Sequence, residues 1–139
     1  MTIAIAFWVF LLSASLIILA SGQRHERYFL AAVVVATALT FVAQSIWGGR
    51  EAYRIVFAID IALWLLALIY VAKSARYWPI WFAGFHSITV ATELGSMIFP
   101  GAMPGLYIDA AGFWALPALG FMAIAVTLDR RSSKLGDFG

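Results

Sequence analysis

Five apolar runs, each about as long as a bilayer is thick, constrain this chain more than any other feature. A hydrocarbon core of about 30 Å takes about 20 helical residues. Runs at roughly 3–20, 28–47, 55–72, 79–99 and 107–128 meet that requirement. The breaks between them carry their own signals. Gln23-Arg-His-Glu-Arg27 reads as too charged to be buried, and Gly48-Gly49 as a helix stop. Pro79 stands where a first helical turn tolerates proline, and Pro100-Gly-Ala-Met-Pro-Gly105 reads as a tight turn. Residues 132–139 read as a short polar tail after the last run.

Composition removes the alternative of a water-soluble fold. Of 139 residues, 64% are hydrophobic and 12% charged, whereas a soluble domain carries about 25% charged residues. A chain this short has too little interior to hide so much apolar surface. The expected fold is a single all-α integral membrane domain, a bundle of five transmembrane helices. The first run lacks a basic n-region, and Ile18-Leu-Ala20 is a poor cleavage site, so it reads as a retained span.

Orientation follows from the cations. With the N-terminus outside, the inner side holds Arg24, Arg27, Lys73, Arg76, Arg130, Arg131 and Lys134, and the outer side only Arg50 and Arg54. The positive-inside rule then places the C-terminus in the cytoplasm. Spans this apolar suit a helix-inserting machinery, and the expected address is a cell inner membrane, crossed several times. The basic residues form short clusters between apolar runs, which argues against a nucleic-acid partner. The expected partners are the lipid bilayer and other membrane subunits or a second copy of the chain.

Polar side chains inside the runs are the candidates for function, because an ionisable group at membrane depth is costly to keep. Asp60 and Glu93 fall about 8 and 9 Å below the outer ends of helices three and four at 1.5 Å per residue. Gln44 is one turn from the outer end of helix two, Asp109 starts helix five, and Arg54 sits in the outer loop, where it is an expected partner for Glu93. His86 is deeper. On helix four, His86, Thr89, Glu93 and Ser96 share one arc, and Ala83, Ser87, Ala91 and Gly95 form a small-residue stripe on roughly the opposite side. Neither stripe suits lipid, so helix four is expected at the centre of the bundle. His86 and Glu93 are two turns apart, about 10 Å, so a bridging group is needed to connect them.

Chemistry beyond this is sparse. Cysteine is absent, which removes disulfides and thiolate sites. There is no phosphate-binding glycine loop, no GxSxG, no HExxH and no metal-ligand spacing on one helical turn. No cofactor is expected. Haem through His86 would need a second histidine, and His25 lies in the cytoplasmic loop. The chain reads as non-enzymatic, either an accessory subunit of a membrane assembly or a homo-oligomer. The alternative is a small proton-coupled carrier or channel using Glu93, Asp60 and His86. The orientation has a direct test. A fluorescent-protein fusion at the C-terminus should fold and fluoresce in the cytoplasm, and an alkaline phosphatase fusion should be active when placed after Trp47 or after Phe99 and inactive after Ala20 or Ala72. The reverse pattern inverts the topology.

Overall fold

The computed structural model describes residues 2–99 and 104–136, with side chains described for 5–99 and 113–129. All secondary structure among the described residues is helical. Helix α1 spans Thr2–Ser21, α2 Arg24–Ile46, α3 Gly49–Lys73, α4 Trp78–Ile98 and α5 Pro104–Gly136.

Several ends differ from the boundaries expected of the sequence. Gln23–Arg27 is not an exposed loop. The Gln23 backbone N–H donates to Glu26 Oε2 at 2.7 Å, and this cap starts α2 at Arg24. Glu26 is 1% exposed, so the most charged break in the chain holds a buried carboxylate. Gly49 opens α3 rather than ending α2. With φ of +56° it turns the chain directly from one helix into the next. Pro79 lies in the first turn of α4. Helix α5 carries Pro117 in its interior and runs on to Gly136, so the stretch from Ser132 to Gly136 is helical and not an irregular tail. Residues 100–103 of the expected turn and 137–139 of the tail lie outside the described residues, as do the side chains of Asp109, Arg130, Arg131 and Lys134.

The connections Gly22–Gln23, Trp47–Gly48 and Ser74–Tyr77 are short, so consecutive helices pack antiparallel. Each helix packs on its chain neighbours, and α5 returns to α1, which closes a five-membered ring. With an odd number of helices, α1 and α5 run parallel. Helix α4 therefore does not occupy the centre. It takes one place in the ring between α3 and α5, and it shows Ile80, Gly84, Ile88, Ala91 and Ile98 to the exterior. The physical reason is connection length. Short loops hold every helix beside its predecessor and leave none free to move inward.

The two ends of the ring are packed differently. At the Arg76 end, Ile18, Phe29, Trp78 and Met122 are fully buried. Phe29 reaches across from α2 and packs edge-on against Tyr70, Trp78 and Phe82, with centroids 4.8–5.1 Å apart. Such pairs contribute about 0.5–1.5 kcal/mol each beyond their buried area. Toward the Gly49 end fewer of the described side chains are buried. Ala43 is the only buried residue of α2 beyond Val33, Ala52 the only one of α3 before Leu63, and no residue of α4 beyond Thr89 is buried.

The exterior is apolar. Leu16 is 70% exposed, Ile46 66% and Phe41 63%. Helices α2 and α3 are long and apolar enough to cross a membrane by length and composition. Among the described side chains, α1 and α5 contribute the apolar stretches Ile5–Ser21 and Phe113–Asp129. Helix α4 belongs to neither group, because His86, Glu93 and its hydroxyl side chains dilute its apolar content.

The close turns give a ranked prediction. A Cβ on Gly22 would stand 2.5 Å from the Ile18 carbonyl oxygen, whereas one on Gly48 would meet nothing within 4 Å. Gly22→Ala should lower thermal stability in detergent by about 1–3 kcal/mol, and Gly49→Ala by about 1–2 kcal/mol through its left-handed backbone. Gly48→Ala should leave it unchanged. Equal midpoints for all three variants would refute this account of the turns.

Candidate functional site

Many of the described hydroxyl groups are satisfied by their own helix. Ser13, Thr37, Ser45, Thr92 and Thr127 each donate to the carbonyl four residues back, at 2.6–2.9 Å. Ser96 donates to the Glu93 carbonyl at 2.7 Å. Such back-bonding is how a hydroxyl sits in apolar surroundings without a partner from another element. It removes Ser96 from the polar arc expected on α4. Thr89 is buried on the same helix.

What remains is a polar seam between α3 and α4. The Trp64 indole N–H donates to Ser87 Oγ at 2.8 Å, and the Ser87 hydroxyl donates onward to the Ala83 carbonyl at 2.7 Å. One turn before Trp64, the Asp60 carbonyl accepts from His86 Nε2 at 3.1 Å. The Asp60 carboxylate oxygen Oδ1 lies 3.5 Å from the same nitrogen. His86 is 5% exposed, and its ring stacks on Phe82 at 5.7 Å and 27°. That stack and the bond to Asp60 fix the ring plane.

Glu93 completes the cluster. Its carboxyl group interacts with that of Asp60 side chain to side chain. Side chains on a helix lean toward its N-terminus, so Glu93 is carried back toward the level of His86. Asp60 thus bridges the two-turn gap between His86 and Glu93 from the neighbouring helix. Oε2 of Glu93 is buried and meets no hydrogen-bond donor among the described residues. Asp60 and Glu93 are both partly exposed and His86 is buried, so the cluster lies at the edge of the buried core.

Three of the expected site residues, Glu93, Asp60 and His86, are therefore brought together, and two are not. Gln44 is exposed on α2. Arg54 does not reach Glu93. It pairs with Glu51 at 3.0 Å, three residues earlier on the same helix, and both side chains are more than half exposed. Because α3 begins at Gly49, Arg54 belongs to its second turn and not to a loop folded over the site. Asp60 is correspondingly deeper, eleven residues or about 16 Å from the helix start. The small-residue stripe does not act as one packing surface either. Ala83 is buried, Ser87 and Gly95 are half-buried and Ala91 is exposed. The stripe and the polar arc also do not face opposite ways, since Ser87 and His86 both contact α3. The length of the Trp64 side chain lets α3 reach both faces.

Trp64 was not apparent as a site residue, although it stands four residues after Asp60 and so shares its helical face. A second cluster was also hidden, at the opposite end. Arg76 Nη1 donates to Glu26 Oε1 and, at 3.0 Å, to Asp129 Oδ2. The Tyr70 hydroxyl donates to the His25 carbonyl at 3.2 Å beside it. The Gln23–Glu26 spacing ahead of an apolar run was the available signal, since it has the form of a helix-capping pair.

No three ionisable side chains among the described residues converge as a metal-ligand set. His86 Nε2 is engaged by the Asp60 carbonyl, so ligation of a haem iron through that nitrogen would first have to break the bond. No protein-family model, curated protein or solved structure is significantly similar to this chain.

The seam makes a stability prediction. Ser87→Ala leaves the Trp64 indole N–H without its acceptor and should cost about 1–3 kcal/mol, measured by thermal unfolding in detergent. The double variant Trp64→Phe/Ser87→Ala should recover part of that loss. A Ser87→Ala variant as stable as the parent would show that the bond contributes nothing.

Proposed function

We propose that this chain is a multi-pass protein of a bacterial inner membrane and acts there as a small proton-coupled carrier, with the Asp60–His86–Glu93 cluster as its proton site. The membrane assignment is supported by the inversion of polarity across the fold. Leu16, Phe41 and Ile46 face outward, while Glu26 and His86 are buried. Water would penalise that exterior by about 25 cal/mol per Å² of apolar surface, and hydrocarbon would not. The Arg76 end also gathers Arg24, Arg27, Lys73 and Arg76, which makes it the cytoplasmic end under the positive-inside rule. The cluster then lies on the outer side of the aromatic core around Phe29.

The contact between the Asp60 and Glu93 side chains is the observation that supports a proton site. An ionised carboxylate only accepts hydrogen bonds. Two neighbouring carboxyl groups repel each other when both are ionised and not when one of them holds a proton. Losing that proton places repulsion between α3 and α4. Binding and release of one proton thereby becomes a force between two helices, which is what coupling requires. His86 lies beside Asp60 with its own exchangeable proton on Nε2, within reach of Oδ1. No enzymatic step is assigned to these groups.

The test uses purified protein in liposomes that contain a pH-sensitive dye, with an imposed proton gradient. The parent should dissipate the gradient. Glu93→Gln and Asp60→Asn should each reduce the rate by at least about tenfold, the scale of one lost ionisable hydrogen bond, while keeping the parent's elution volume and melting midpoint. Unchanged flux in both variants would remove the proton site. A stoichiometric partner recovered by gentle extraction would then favour an accessory subunit.

A further inference from the structure

The Arg76 cluster is not needed for the proton site, and its placement calls for its own account. Arg76 lies in the Ser74–Tyr77 connection between α3 and α4. Its guanidinium bonds Glu26 at the start of α2 and Asp129 in the last part of α5. Helices α2 and α5 do not pack on each other among the described residues. One side chain therefore ties together two helices that the ring keeps apart. Directly inside this tie lie Phe29, Tyr70, Trp78 and Phe82, packed ring against ring. The Phe82 ring stacks on His86. A continuous line of contacts thus runs from the proton site to the tie: Asp60, His86, Phe82, Phe29, Tyr70, and the His25 carbonyl next to Glu26.

From this arrangement we infer that the Arg76–Glu26–Asp129 cluster is the inner gate of the bundle, closed in this structure. The inference rests on the carrier reading above, and it adds which end opens and which groups hold it shut. Three observations support it. The interior directly beneath the tie is fully packed, with Ile18, Phe29, Trp78 and Met122 completely buried, as a closed end requires. The closure is made by side chains across a ring, so it can open without breaking any helix. The unequal exposure of the partners, 1% for Glu26 and 44% for the Asp129 side chain, gives a strong inner bond and a weaker outer one on the same guanidinium. Movement of α4 against α3 at Asp60 and His86 would displace Phe82, and with it the rings beneath the gate.

Absence of native cysteine makes the test clean. Ala67 is fully buried on α3 between Asp60 and Tyr70, and Ala67→Cys introduces one thiol just inside the proposed gate. Inverted vesicles expose the Arg76 side to a charged, membrane-impermeant methanethiosulfonate, and the labelling rate is measured. With the gate intact the thiol should be protected. Arg76→Gln should raise the rate by about a hundredfold, because it leaves a buried carboxylate without its cation. Asp129→Asn should raise it by about fivefold, since that pair is half exposed. If Arg76→Gln fails to fold, Asp129→Asn still carries the test. Labelling at the parent rate in every variant that folds overturns the gate. This readout needs no proton flux. Loss of flux in Glu93→Gln with an unresponsive thiol would discard the gate and keep the proton site. A responsive thiol with normal flux in Glu93→Gln would discard the proton site instead.

Discussion

Arg76 holds two carboxylates, and the closed end of the ring is organised around that contact. Short loops allow each helix to pack only on its neighbours, so packing alone does not join α2 to α5. The guanidinium supplies the missing connection, because the two N–H groups of its Nη1 serve two acceptors at once. Glu26 is also tied to the Gln23 backbone, so the same carboxylate caps α2 and anchors the connection between α3 and α4. A buried charge is tolerable only when its oxygens are occupied in this way. The aromatic cluster then fills the space beneath, where Phe29 meets three other rings.

The opposite half shows what happens without such a contact. Beyond Val33 on α2 and Thr89 on α4 few of the described side chains are buried, and the polar groups described between the helices there are carboxyls and hydroxyls. The hydroxyls turn back onto their own helices. The two carboxyls meet each other. Arg54, which has the charge to neutralise them, is taken by Glu51 near the helix start. One end of the fold is therefore held by complementary charge, while at the other two carboxyl groups lie beside each other. That asymmetry underlies both the proposed site and the proposed gate.

The meeting of His86, Asp60 and Glu93 depends on the pairing of α3 with α4. Separation along α4 keeps His86 and Glu93 apart, and a residue of another helix has to span the gap. Asp60 does so with two different groups, its carbonyl toward His86 and its carboxyl toward Glu93. Trp64 and Ser87 hold the same two helices in register one turn further along. The seam is thus a short ladder of unlike contacts, and its register determines whether the acidic pair forms at all.

The five helices were legible in the sequence because hydrophobic run length and helix-breaking residues act locally. Glu93, Asp60 and His86 could be singled out for a similar reason, since an ionisable residue within an apolar run is costly wherever the chain folds. Helix ends were less legible. Charge alone suggested that Gln23–Arg27 lies outside the fold, and charge does not reveal that Arg76, fifty residues later, will meet Glu26. The partners of Glu93, the isolation of Arg54 and Gln44, and the place of α4 in a ring were decided by tertiary structure. Each depends on which helix stands beside which and at what register, and periodicity along a single helix does not encode that. The sequence by itself determined which segments become helices and which side chains need a partner. Only the packed ring decided who the partners are, because a partner is a matter of distance through space and not of spacing along the chain.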